Sequence, residues 1–223
     1  TASAAPALLR LLTPKRPRCS LNAAMQDESQ TLKVEDGRLL LRLARSTLLE
    51  KLGRRLPPAE AERLQSALQD PRFHARRGTF VTLTIAGELR GCIGNLFPTN
   101  TLTEGVRQNA VHAAFQDPRF KPLTEDELDQ VSIEVSILTE PQPVPYATAQ
   151  DLIQRLRPHL DGVIIRQGYA SATFLPQVWA QVPKAEDFLG HLCLKAGLPR
   201  DAWKRSKLDV ATYQVQLFDE KLE

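Results

Sequence analysis

The segment Phe80-Val81-Thr82-Leu83-Thr84-Ile85-Ala86-Gly87-Glu88-Leu89-Arg90-Gly91-Cys92-Ile93 decides how this chain is read. Val81, Leu83 and Ile85 alternate with Thr82 and Thr84, the two-residue period of a half-buried strand. Ala86-Gly87 is turn-like, and Glu88 to Ile93 returns as the partner strand of a hairpin. Residues two apart on an extended strand share a face, so Glu88, Arg90 and Cys92 are expected to project together, with Leu89 and Ile93 on or near the apolar side. A bulge at Gly91 would break that alignment.

A guanidinium beside a thiol favours the thiolate, the nucleophilic and metal-binding form. Gly91 and Gly94 lack Cβ atoms, so a ligand or another strand can approach closely and backbone N–H groups around the thiol are available to an anion. The candidate catalytic set is therefore Cys92 as nucleophile and Arg90 as its tuning cation, with Glu134 and His112 as acid or base groups. Glu134 lies on a strand where a carboxylate either faces water or meets a cation such as Arg90 or Arg119. His112 lies on the helix that follows the hairpin and can fold back toward it; His74, His159 and His191 have no diagnostic spacing to Cys92. The candidate ligand-binding residues are Gly91, Ile93, Gly94, Arg119 and Thr173. The competing reading makes Cys92 a small buried hydrophobe, with glycines where strands cross tightly.

Outward from the hairpin, Leu39, Leu40, Leu43, Ala44 and Leu48 recur at helical spacing between Glu35 and Lys51, with Gly53 placed to end the helix. A second helix starts near Pro57-Pro58 and stops at Asp70-Pro71. Thr103 to Phe115 reads as a helix with Val106, Ala110, Ala113 and Ala114 on one face. Thr124-x-x-Glu127 resembles a capping box ahead of the strand Val131 to Ile137. Pro141, Pro143 and Pro145 form a stiff connector and suggest a subdomain boundary. Thr148-x-x-Asp151 opens another helix, and Gly162 to Ile165 with Ala172 to Leu175 flank the turn Gln167-Gly168. Ala185 to Ala196 reads as a helix ended by Gly197, and Asp209 to Phe218 as one closing strand. Gln69-Asp70-Pro71-Arg72-Phe73 recurs as Gln116-Asp117-Pro118-Arg119-Phe120. Asp-Pro ends a helix there, Arg can bond freed carbonyls or an acid, and Phe anchors the turn in the core.

Composition sets the outer limits. Of 223 residues, 42% are hydrophobic and 25% charged, an ordinary globular balance. No apolar run approaches the roughly 18 residues of a membrane span. The net charge is +3, but Arg10, Lys15, Arg16 and Arg18 precede the first acid, Asp27; without those four of the 29 basic residues, 25 face 26 acids. A near-neutral body argues against a broad nucleic-acid surface, though a local anion site remains open. Cys19, Cys92 and Cys193 are widely spaced and odd in number, which disfavours a disulfide scaffold and a zinc site and favours a reducing, cytoplasmic location. Cys193 falls in a helical apolar stripe with Phe188, Leu189, Leu192 and Ala196 and reads as core. Arg72, Arg76 and Arg77 beside His74 could bind phosphate, but a short solvated charge run is the commoner explanation. Residues 1–24 are rich in Ala, Pro, Arg and Ser; they read as a disordered extension or an upstream start with Met25 as the true one.

Leu89-Arg90-Gly91-Cys92-Ile93-Gly94 resembles the signature hexapeptide of the AMMECR family, named for the Alport syndrome, midface hypoplasia, intellectual disability and elliptocytosis region. Asn109-Ala110, Ala113-Ala114-Phe115, Asp117-Pro118-Arg119-Phe120, Ile133-Glu134-Val135-Ser136, Asp161-Gly162-Val163, Ala172 to Trp179 and Lys195-Ala196-Gly197 extend the likeness. The resemblance implies one α+β domain over about residues 35–219, built of two repeated strand-helix units around a barrel-like, largely antiparallel sheet with flanking helices, the hexapeptide facing a cleft. It implies no settled activity and no defined cofactor. Prokaryotic members are similar to component A of the AmmeMemoRadiSam system, which implies a Memo-like protein and a radical S-adenosylmethionine protein as partners, with a small-molecule or peptide substrate. Two functional expectations follow: a thiol-dependent enzyme or enzyme component, or a non-catalytic binding or scaffold module with an anion or peptide cleft.

Overall fold

A computed structural model describes residues 31–220 of the chain; the extension read at residues 1–24 lies outside the described residues. The chain divides near Pro141 and again near Val215, so that residues 31–140 and 216–220 form one unit and residues 141–215 another. The first boundary falls at the proline connector.

Helix α1 (Val34–Lys51) buries Leu40, Leu41, Leu43, Ala44 and Leu48 along one side. Asp36 in its first turn accepts the Lys33 N–H at 2.9 Å, satisfying a donor that the helix leaves orphaned. Its other end closes on Gly53 at φ +78°, with the Gly53 N–H on Glu50 O and the Arg54 N–H on Leu49 O. That pattern is a Schellman motif, which needs the left-handed conformation glycine adopts at little cost. Helix α2 (Pro58–Ala67) and a 3₁₀ turn (Pro71–His74) follow.

The hairpin has strands β1 (Thr79–Ile85) and β2 (Glu88–Asn95), joined through Ala86 and Gly87, both at positive φ. Two consecutive left-handed residues give the turn a twist that matches the strands. Helix α3 (Leu102–Phe115) is capped by Thr101, whose Oγ1 accepts the Glu104 N–H while the Glu104 carboxylate accepts the Thr101 N–H. Helix α4 (Glu125–Leu128) leads into β3 (Val131–Leu138), and β8 (Val215–Asp219) completes a sheet of order β2-β1-β3-β8. One side of this sheet presents Val81, Leu83, Ile133, Val135 and Ile137 to Leu40, Leu43, Val106 and Ala110 in a single core. Each large apolar side chain fully buried there contributes roughly 1.5–3 kcal/mol.

The unit 141–215 holds β4 (Gln142–Pro143), α5 (Ala149–Arg155), β5 (Gly162–Gln167), β6 (Ala170–Phe174), a 3₁₀ turn (Pro176–Ala180), α6 (Ala185–Lys195), α7 (Ala202–Arg205) and β7 (Asp209–Tyr213). Its sheet has the order β4-β7-β5-β6. Its core centres on Trp179 stacked on Phe188 at 3.7 Å between ring centroids, with Phe174 edge-on to Phe188 at 5.3 Å. The indole Nε1 donates to Asp161 O at 2.7 Å, so this buried ring leaves no orphaned donor. Cys193 is fully buried in the same core.

The fold is mixed helix and strand, but its strands form two separate four-stranded sheets and no closed barrel is found among the described residues. The closing strand expected over Asp209 to Phe218 is also divided. It breaks at Gln214, and β7 and β8 belong to different sheets. The polar residues at this switch are buried. Gln216 accepts the Leu32 N–H at 2.9 Å and donates to Leu32 O at 2.5 Å, taking the place of a neighbouring strand.

Candidate functional site

Register fixes what surrounds Cys92. On β1, Thr82 is paired with Cys92 on one side and with Glu134 of β3 on the other, so the three form one row across the sheet. The β1–β3 register is unbroken and places Thr84 opposite Ser132, two residues along on the same face. The β1–β2 register is broken: Leu83 pairs with Gly91 but Thr84 with Leu89, leaving Arg90 as the extra residue of a β-bulge. The expected shared face of Glu88, Arg90 and Cys92 is lost, because one inserted residue reverses the alternation beyond it.

Arg90 turns to Glu127 of α4, donating from Nε and Nη2 to its two carboxylate oxygens at 2.9 Å each. This fork, with the Thr124 N–H, holds Glu127 down at about 2. The charge that reaches Cys92 comes from Arg119 instead. Asp117, buried, accepts the Cys92 N–H at 2.9 Å, and Arg119 Nη2 donates to Cys92 O at 3.1 Å. Arg119 also grips Asp117 through Nε at 2.9 Å and Nη2 at 2.7 Å, and its backbone N–H bonds the same carboxylate at 3.1 Å. These bonds hold Asp117 at about 2 and raise Arg119. Since β2 is the edge of its sheet, this clamp does for Cys92 what a further strand would do. The Arg90 and Arg119 guanidiniums both lie over the Phe120 ring, 5.9 Å and 5.5 Å from its centroid.

The Cys92 thiol is half-buried, and the Thr82 hydroxyl donates to its sulfur at 3.3 Å. Burial pushes the thiol up; the Thr82 bond and the Arg119 charge oppose this, while Glu134 and Asp117 reinforce it. The net direction is toward the protonated form, the reverse of an activated nucleophile.

The other predicted residues scatter. A Cβ on Gly91 would overlap the Ala113 carbonyl of α3, and one on Gly94 would overlap the Phe80 ring. Ile93 packs against the core beside β1 and α3, and His112 lines a separate hollow between α1 and α3. Thr173, in the unit 141–215, donates to Val163 O at 2.9 Å and bonds the Tyr213 hydroxyl at 2.9 Å. Arg72 of the first echo is spent on Asp36 and Asp70, and Arg77 donates to Leu138 O. Among the described residues no three or more His, Cys, Asp or Glu groups gather to hold a metal. Asp117 and Thr82 were missed. Asp117 was legible in the repeated Asp-Pro-Arg-Phe motif: Asp70 accepts the Arg72 N–H just as Asp117 accepts that of Arg119.

Residues 41–218 match the AMMECR1 family model. The chain belongs to the AMMECR1 family. A relative, protein Mbar_A1807 of Methanosarcina barkeri, is 42% identical over 187 residues, covering 83% of this chain and 91% of the relative. A relative from Methanothermobacter thermautotrophicus is 39% identical over 192 residues, covering 85% of this chain and 96% of its own. The crystal structure of the uncharacterised protein PH0010 from Pyrococcus horikoshii aligns with a TM-score of 0.70 at 33% identity, covering 85% of this chain and 94% of that one. Among the described residues of this family member, no helix is long and apolar enough to cross a membrane.

Proposed function

We propose that this AMMECR1-family chain is a recognition module that hydrogen-bonds a peptide or small-molecule ligand on the polar sheet face of Thr82, Thr84, Cys92, Ser132 and Glu134, with Cys92 acting as a neutral thiol. The observation that carries this reading is the commitment of Arg90 to Glu127, which leaves burial to raise the thiol. Two further features support it. The Thr84 and Ser132 hydroxyls face each other across β1 and β3, are buried, and have no hydrogen-bond partner among the described residues. Buried hydroxyls with unspent capacity are costly unless something bonds them. The cations near Cys92 are already matched, Arg90 by Glu127 and Arg119 by Asp117, so a neutral hydrogen-bonding ligand suits this face better than an anion.

Within this reading the Memo-like and radical S-adenosylmethionine proteins are the partners the module serves. Capture of a purified Memo-like protein by the immobilised chain is the test. Glu134→Gln and Thr82→Val are expected to weaken capture more than Cys92→Ala, which removes only a weak neutral donor. Loss with Cys92→Ala alone would overturn the proposal. A second reading, a thiol-dependent enzyme component, is favoured by the Glu134 carboxylate, which stands in the same row across the sheet as Cys92 and whose charge acts on the thiol.

A further inference from the structure

Helix α3 turns Val106, Asn109, Ala110 and Ala113 to the core, and its opposite face meets the last turns of α1 along an open hollow of about 470 Å³. Lys51 and Arg107 stand on its rim, and neither has an ion-pair partner among the described residues. Elsewhere in the same unit Arg42, Arg45, Arg54, Arg72, Arg90 and Arg119 are each paired with an acid. The one acid lining the hollow, Glu104, spends its carboxylate on the Thr101 N–H and hydroxyl as the helix cap. With two cations against one engaged carboxylate, the hollow is net positive.

Asn100, Gln108 and His112 add side-chain hydrogen-bonding groups to the lining, with Val111 and Thr47 among them. Asn100 Nδ2 donates to Gln108 Oε1 at 2.6 Å, which leaves the Gln108 amide N–H₂ as an unused donor. His112 adds a ring N–H. Thr47 spends its hydroxyl on Leu43 O at 2.8 Å, and Val111 lines the hollow with it.

We infer that the hollow between α1 and α3 binds a small organic anion, a phosphate monoester or a carboxylate, with its charge on Lys51 and Arg107 and its apolar part on Val111 and Thr47. This site is independent of the recognition face around Cys92. It gives His112 a place in binding, away from the thiol.

The test is calorimetric and NMR titration of the full chain with phenyl phosphate, benzoate and phenol. Saturable binding of phenyl phosphate or benzoate, with amide shifts on α1 and α3, is expected, and the tighter of the two identifies the anion. Phenol is expected not to bind. Arg107→Gln should weaken binding about tenfold, as loss of a charged hydrogen bond does, while Cys92→Ala and Glu134→Gln should not change it. Both cations are exposed, so folding is expected to survive their substitution. The inference is overturned if neither anion saturates, if phenol binds as well, if Lys51→Gln with Arg107→Gln leaves the affinity unaltered, or if an acidic peptide is bound in preference to both small anions.

Discussion

Asp117 accepts the backbone N–H of Cys92 at 2.9 Å, from a loop 25 residues further along the chain. The hexapeptide strand is thereby held at its open edge by a buried carboxylate, and Arg119 closes the clamp on the Cys92 carbonyl. The signature segment is positioned chiefly through its backbone.

Asp117→Ala should destabilise the chain by roughly 1–3 kcal/mol in urea denaturation, because it leaves the Cys92 N–H without its acceptor. Asp117→Asn retains an acceptor and should cost less.

Asp117 titrates at about 2 in the folded chain against an ordinary 3.8, chiefly because the Arg119 side chain bonds its charged form. A carboxyl depressed by folding stabilises the native state above its unfolded value, and that contribution is lost as pH falls through the folded value. The parent chain is expected to lose this share of stability between about pH 4 and pH 2, and Asp117→Asn to lose less over the same interval. Equal acid sensitivity of the two would refute the assignment.

Gly91→Ala should be destabilising by roughly 1–3 kcal/mol, since the new methyl group would overlap the Ala113 carbonyl of α3 and the backbone must move. Gly53→Ala meets nothing within 4 Å and should cost about 1 kcal/mol or less, for its positive φ alone. Thermal melts of the two variants give the order.

Much of the fold was legible because local chemistry and packing agree. The α1 stripe with Gly53, the hairpin through Ala86-Gly87, the helix read over Thr103 to Phe115 and the Thr124/Glu127 capping box appear within a residue or so of where their patterns place them, while the Thr101 cap was not read. What sequence spacing could not supply was register. The bulge at Arg90 depends on how β2 seats against β1, and one extra residue there moved the guanidinium from the thiol to Glu127. The break at Gln214 was hidden for a similar reason: Gln216 satisfies Leu32, 184 residues away, and no local pattern encodes that distance. Arg119 reached the site through a motif read correctly as a helix stop with an arginine for an acid. Its second role, on the Cys92 carbonyl, required the strand edge to be known.

The state of the thiol can be separated by cation. Arg119→Ala removes the one nearby positive charge that favours the thiolate, so it should raise the Cys92 pKa further; Arg90→Ala should leave it in place while releasing Glu127 upward from about 2. NMR titration of a Cys92 side chain labelled with ¹³C at Cβ reads both variants.

The central measurement is the pH profile of iodoacetamide alkylation at Cys92 in the native chain, followed by mass spectrometry beside a free cysteine standard. The profile is predicted to be shifted to higher pH than the standard, with slower reaction at pH 7 and no change on Arg90→Ala. A Cys92 that reacts faster than the standard at neutral pH, and slows when Arg90 is removed, would contradict the account.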